Sequence, residues 1–310
     1  MKIVFFGSPS PALPSLKKLL ESGHKVGLVV TQPDRPKGRG KRLTPPPVKK
    51  LAMELDIPCI QPDKIRKDPS ALQAIQNIQP DLIVVVAYGQ IIPASIIYLP
   101  KYNSVNLHFS LLPKYRGASP VQWTLLRGEN KTGLTIFELN EKMDEGDILS
   151  QEGVDIYPGE NASELEARLA KMGAALLVKT ISQVDKIKHV KQDHSQATYA
   201  PKVKKEDGRI DWTKDALYID RQVRAFYPWP SAFAFFKERR IKIYKGTERG
   251  KSVACSSHGE IHGIKKEGLE VCCDAQSVYL IQRIQPENKK EMDAYAFSLG
   301  AGMKVGDKFT

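Results

Sequence analysis

Short apolar runs alternate with amphipathic segments along the first 180 or so residues. "KIVFF" (2–6) is apolar after its lysine and reads as a buried strand. "LPSLKKLLESG" (13–23) repeats leucine at helical spacing and stops at Gly23. "KVGLVVT" (25–31) reads as a strand, residues 32–47 as a Pro/Gly/Arg/Lys loop, and "VKKLAMELD" (48–56) as a helix. "DLIVVVA" (81–87) is dominated by β-branched residues and flanked by Pro80 and Gly89, which suits a central parallel strand covered on both faces. "SVNLH" (104–108) and "GLTIFEL" (133–139) are further strands. Between them "SPVQWTLLRG" (119–128) predicts a helix with Ser119 as N-cap, Pro120 in the first turn and Gly128 at its end. "NASELEARLAKMGAALLVKTISQV" (161–184) predicts a long amphipathic helix, with Ser163 and Glu166 as its capping box. This alternation predicts an α/β domain built on a doubly wound, mostly parallel sheet.

The periodicity stops near residue 186. "KIKHVKQDHSQATYAPKVKKEDG" is polar and lysine-rich, and reads as a linker. The expected organisation is a first domain over 1–188, a linker over 189–206 and a second domain over 207–310. The second domain shows one short helix (216–226) and then strand-like runs at 231–236, 240–246, 269–273 and 277–286. Several short strands after a helix predict a small barrel.

Charge narrows the partners. The net charge is +12, which points to a polyanion. Residues 35–50 hold seven Lys/Arg and no acid, and residues 201–310 carry 21 basic and 15 acidic groups. The four cysteines, Cys59, Cys255, Cys272 and Cys273, lack metal-ligand spacing, and two of them are adjacent. A reducing compartment is expected, hence a cytoplasmic protein. No apolar run approaches the ~20 residues of a membrane span, and the N-terminal run is too short for a signal peptide. "HGEIH" (258–262) spaces two histidines like a zinc pair, but it lies in a strand-rich region with a glycine between them, so no metal is expected.

In an open α/β sheet, ligands bind beyond the carboxyl ends of the strands. Asn106 and His108 stand at such an end, and strand alternation puts both on one face. An amide and an imidazole can together surround a developing oxyanion. The loop "NEKMDEGDIL" (140–149) offers Asp144 or Asp147 to orient the imidazole, and spacing does not choose between them. Walker and G-x-G-x-x-G motifs are missing from the sequence, as is a serine or cysteine elbow. Non-covalent transfer at a carbonyl remains.

"TQPDRPKGRGKRLTPPPVKKLA", "DLIVVVAYGQIIP", "NLHFSLLPKYRGASPVQW", "MDEGDIL" and "IDRQVRAFYPWPSAF" occur in this order. Together they resemble the signature segments of the methionyl-tRNA formyltransferase family, within the folate-dependent formyltransferases. The resemblance spans essentially the whole chain. It implies a Rossmann-like formyltransferase domain followed by an OB-like, tRNA-binding barrel. The implied reaction is formyl transfer from 10-formyltetrahydrofolate to methionyl-tRNA for translation initiation. It places the catalytic triad on Asn106, His108 and Asp144. Folate contacts map to Tyr88, Gly89, Gln90, Ile91 and Ile92, to Ser110, Leu111, Leu112 and Pro113, and to the 140–144 loop beginning at Asn140. The basic loop, with Arg35, Lys37, Arg39, Lys41 and Arg42, is implied to meet the tRNA acceptor arm, Arg39 being the key arginine. A monomer without metal is expected. Phe109 stands where the family commonly has a small residue. The same triad also serves formyltransferases for glycinamide ribonucleotide or amino sugars, but those small acceptors do not call for a basic second domain.

Overall fold

Lys2–Gly7 forms β1, and everything after its first residue is buried. The protein is described here by a computed structural model covering all residues except Gly38, Arg39, Lys41, 252–254 and Ala275, and the side chains of Lys37 and Lys251. After β1 come α1 (Leu13–Glu21), β2 (Lys25–Val30), β3 (Arg35–Lys37), β4 (Arg42–Thr44), α2 (Pro47–Glu54) and β5 (Cys59–Ile60). Then follow α3 (Pro69–Ile78), β6 (Leu82–Val86), α4 (Ala94–Ile97), β7 (Ser104–His108), α5 (Pro120–Leu126), β8 (Lys131–Glu138), β9 (Ile148–Asp155) and α6 (Ala162–Ile181).

Seven strands form one sheet in the order β5-β2-β1-β6-β7-β8-β9. Pairing is parallel from β5 to β7 and antiparallel through β8 and β9. This is the doubly wound, mostly parallel, Rossmann-like sheet that the strand and helix alternation predicts. The chain order reverses between β1 and β6, so loops leaving their carboxyl ends diverge and open a crevice. β6 shows why its sequence makes a central strand. All five of its residues are buried, and each such aliphatic side chain stabilises the fold by about 2 kcal/mol.

By its internal contacts the chain divides into two compact units. One comprises Met1–Pro120, Lys131–Asp155 and Glu166–Pro201; the other comprises Val121–Asn130, Ile156–Leu165 and Lys202–Thr310. The second contains α7 (Ala216–Ala225), β10 (Ala232–Phe236), β11 (Arg239–Lys251), β12 (Ile261–Lys265), β13 (Gly268–Cys272), β14 (Ser277–Pro286), β15 (Met292–Asp293) and α8 (Ala294–Ala301). Its strands run antiparallel in the order β10-β11-β14-β13-β12, with β15 on β14. Register shifts between β11 and β14 bend the sheet, as bulges do. It is the small β-barrel domain, closed over Ile219, Val223, Ile241, Tyr279, Ile281 and Phe309.

The structure corrects the sequence reading in four places. Residues 32–47 are not all loop, because β3 and β4 pair as a short hairpin. The capping box of α6 lies earlier than Ser163 and Glu166. Asn161 Oδ1 accepts from the Glu164 N–H at 3.1 Å, and Glu164 Oε2 accepts from the Asn161 N–H at 3.0 Å. Residues 189–201 are fastened chain rather than free linker. Val190 pairs with Ile148 and Tyr199 with Arg116, which puts this stretch in the first unit. Finally, Cys255 and Cys272 form a disulfide with Cα atoms 5.8 Å apart. Neighbours on a strand face opposite ways, so Cys272 meets Cys255 while Cys273 enters the core. Burial pushes the Cys273 thiol up to about 12.

Candidate functional site

β7 lies between parallel β6 and antiparallel β8, with Asn106 in register with Val85 and Phe137. Its half-buried side chain opens on a cleft of about 320 Å³ at the carboxyl end of the sheet. Among the described residues, the Asn106 amide makes no side-chain hydrogen bond. His108, on the same face, is 7% exposed, and its ring meets Phe137 edge-on with centroids 6.4 Å apart.

The imidazole nitrogens have separate partners. Nε2 lies 2.9 Å from the Tyr115 carbonyl oxygen. A carbonyl only accepts, so Nε2 carries a hydrogen in either charge state. Nδ1 faces Asp144, with Oδ2 at 3.8 Å. Asp144 is thus the carboxylate that the fold sets beside His108. It sits in the β8–β9 loop with φ +54°, a left-handed conformation that aspartate tolerates better than most residues. Its Oδ2 accepts the Gly117 N–H at 2.7 Å.

Two glycines make this geometry possible. Gly117 has φ +121°, and a Cβ there would lie 2.6 Å from the Ala200 carbonyl oxygen. At Gly146 a Cβ would fall 1.6 Å from the Glu138 carbonyl oxygen, so the loop carrying Asp144 folds back on β8 only with glycine there.

Of the expected folate contacts, Gly89, Gln90, Ile91, Ile92 and Asn140 line the cleft. The Gln90 side chain is tied back to the Ile65 N–H and to the carbonyls of Pro62 and Asp63, which steadies the rim. Tyr88, by contrast, packs edge-on against Phe6 at 5.0 Å in the core, and burial pushes its phenol well above the usual range. Ser110, Leu111, Leu112 and Pro113 also lie outside the described lining. They form a braced turn. Thr135 Oγ1 donates to the Ser110 carbonyl at 2.7 Å and accepts the Leu112 N–H at 3.1 Å. Gln151 Nε2 donates to the Leu112 carbonyl at 2.7 Å. Lining residues that the sequence reading missed include Val85, Ile97, Gly117 and Leu139. Three come from apolar runs that read equally well as core.

On the β3–β4 hairpin, Arg35 and Arg42 are exposed, beside Leu43 at 70% exposure. The Lys37 backbone belongs to β3. Its side chain, Arg39 and Lys41 lie outside the described residues. In the second unit, Arg209 lies over Phe235 at 5.7 Å and Arg240 over Phe233 at 5.6 Å. Among the described residues, Cys255, His262 and Cys272 bring potential ligand atoms within 4.8 Å of one another. Two of these are disulfide-bonded sulfurs, so the group is not a donor set. No described helix is long and apolar enough to cross a membrane.

Family models match most of the chain in two parts. The family model described as "Formyl transferase" matches residues 1–181, and "Formyl transferase, C-terminal domain" matches residues 202–302. A methionyl-tRNA formyltransferase of Geobacter sulfurreducens is 43% identical over 310 residues, covering 99% of this chain and 96% of the relative. The protein of that name from Bacillus licheniformis is 40% identical over 309 residues, with 99% and 97% covered. The solved structure of HypX from Aquifex aeolicus in complex with tetrahydrofolic acid superposes with a TM-score of 0.65 at 17% identity. It covers 99% of this chain and 48% of HypX, and it bears on fold alone.

Proposed function

The chain belongs to the formyl transferase family, and on that premise we propose that it moves the formyl group of 10-formyltetrahydrofolate to the α-amino group of methionyl-tRNA. The observation that carries this reading is that Asn106 and Asp144 line one cleft with the buried His108 imidazole set beside Asp144, in a chain matched end to end by proteins of that activity. The cleft suits a flat heteroaromatic donor. Val85, Ile92, Leu139 and Met143 give it apolar walls, and Asn106 and Asp144 give it polar points.

A free α-amino group titrates near ~7.7–8.0, so a neutral fraction exists at pH 7. Its nitrogen bonds to the formyl carbon while the carbonyl electron pair moves onto oxygen. The unengaged Asn106 amide donates to that oxyanion. His108 Nδ1, the nitrogen not committed to Tyr115, takes the proton that the amine loses. Asp144 favours the resulting imidazolium. When the oxyanion collapses, the bond from carbon to the folate nitrogen breaks, and that nitrogen takes the electron pair and the proton.

In this reading the hairpin, with Arg35 and Arg42 exposed, meets the acceptor arm together with Lys37, Arg39 and Lys41. The cation–aromatic pairs of the second domain contribute contacts along the RNA. The protein acts in the cytoplasm, as a monomer. Release of tetrahydrofolate, followed with methionyl-tRNA, uncharged tRNA or glycinamide ribonucleotide as acceptor, tests the proposal. Release is expected only with methionyl-tRNA. Turnover with the ribonucleotide and not the charged tRNA would sink the acceptor assignment.

A further inference from the structure

Arg116 is only 2% exposed. A guanidinium removed from water needs a full set of acceptors. Its Nε and Nη2 donate to Gln192 Oε1 at 3.1 and 2.7 Å. Nη2 also lies 3.0 Å from His194 Nδ1, and Nη1 lies 3.4 Å from Glu145 Oε1. Gln192, 6% exposed, is thereby oriented. Arginine only donates, so the amide oxygen must face it and the amide nitrogen must face away. That nitrogen donates to the carbonyls of Asp144 at 2.9 Å and Gly146 at 2.8 Å.

The backbone on either side of Arg116 is zipped to the same segment. Arg116 N–H donates to the Thr198 carbonyl at 2.9 Å, and Ala200 N–H donates to the Arg116 carbonyl at 2.7 Å. Tyr115 N–H donates to Thr198 Oγ1 at 2.9 Å. These bonds fix two backbone groups that hold His108 and Asp144: the Tyr115 carbonyl on the imidazole and the Gly117 N–H on the carboxylate. The polar, lysine-rich sequence of this segment predicts a linker. Its location, strung along the Asp144 loop and the 115–117 turn together, gives it another role.

We propose that Gln192, clamped by buried Arg116, is a positioning residue that sets Asp144 against His108, so that residues 190–200 form part of the catalytic apparatus. This rests on the assignment of His108 and Asp144 to formyl transfer. Asp144 holds a left-handed backbone, a conformation that persists when its surroundings over-determine it. Two hydrogen bonds from one buried amide, flanking Glu145, do so.

The test is a kinetic cycle on the full chain with Gln192→Glu, Asp144→Asn and the double variant. Gln192→Glu keeps an acceptor for Arg116 but sets a carboxylate oxygen against the carbonyls of Asp144 and Gly146. The expected kcat loss is about 10- to 100-fold, with KM for methionyl-tRNA changed less than about threefold. In the Asp144→Asn background, Gln192→Glu should cost nothing further, because its effect passes through that carboxylate. Wild-type kcat in Gln192→Glu overturns the inference, and so does an undiminished loss in the Asp144→Asn background. If Gln192→Glu fails to fold, Arg116→Lys replaces it. That variant keeps the charge but loses the fork that grips Gln192, and the same non-additivity is expected. Failure of both to fold assigns the network to stability and overturns the inference too. Wild-type turnover of Asp144→Asn alone ends the underlying triad reading instead, so the two failures are told apart.

Discussion

The unequal treatment of the two His108 nitrogens decides which atom is free for chemistry. Nε2 is committed to the Tyr115 carbonyl, so in the proposed reaction it is Nδ1, beside Asp144, that exchanges a proton with substrate. Asn106 complements it with donors that no protein acceptor occupies among the described residues. Replacing either side chain by alanine should lower kcat by about 10²–10³ while leaving binding of methionyl-tRNA close to wild type. Single-turnover formylation measured beside equilibrium binding would check this, and near-normal turnover in His108→Ala would remove it from the chemistry. Asn106 and His108 were legible in the sequence because strand alternation puts every second residue on one face. The Tyr115 carbonyl and the Gly117 N–H were not, since every residue carries those groups and nothing in composition marks the two that matter.

At the level of elements, apolar periodicity revealed what it buries and little else. β6 is continuous and β-branched, so its place at the centre was plain. β9 lies at the sheet edge with much of its surface exposed, and its sequence lacks an apolar run. The sequence of α3 likewise shows no long apolar run, although Asp68 caps it, accepting the Ala71 N–H at 3.0 Å. Residues 190–200 are fastened through backbone groups and single polar side chains, which leave no period to read. The α3 cap gives a stability prediction. The Ser70 hydroxyl, and then the Ala71 N–H, hold the Asp68 carboxyl below its ordinary value of 3.8. Its contribution is therefore full above pH 3.8 and fades as pH falls through the lower, folded value. Asp68→Ala should cost about 1 kcal/mol at pH 7, and the difference in melting temperature from wild type should shrink in acid. A difference that never shrinks in acid while the protein stays folded would mean that the carboxylate is not the cap.

For the molecule as a whole, the net charge of +12 matters to the acceptor and not to the donor. KM for methionyl-tRNA should rise steeply with salt, while KM for the folate donor should change little. Replacing exposed Arg35 and Arg42 by alanine should lower the slope of log KM against log salt by about 1 for each lost phosphate contact. An unchanged slope would take the hairpin out of the RNA-binding surface. Charge and the two-part organisation were both visible in the sequence, but the end of the first unit was not. It lies at Pro201, beyond the point where helical periodicity fades. That late boundary has a consequence for how the protein is made. Asn106, His108 and Asp144 have all left the ribosome long before Gln192 follows, yet the Asp144 and Gly146 carbonyls wait for its amide. A nascent chain that already carries the whole triad should stay silent until roughly the two-hundredth residue emerges.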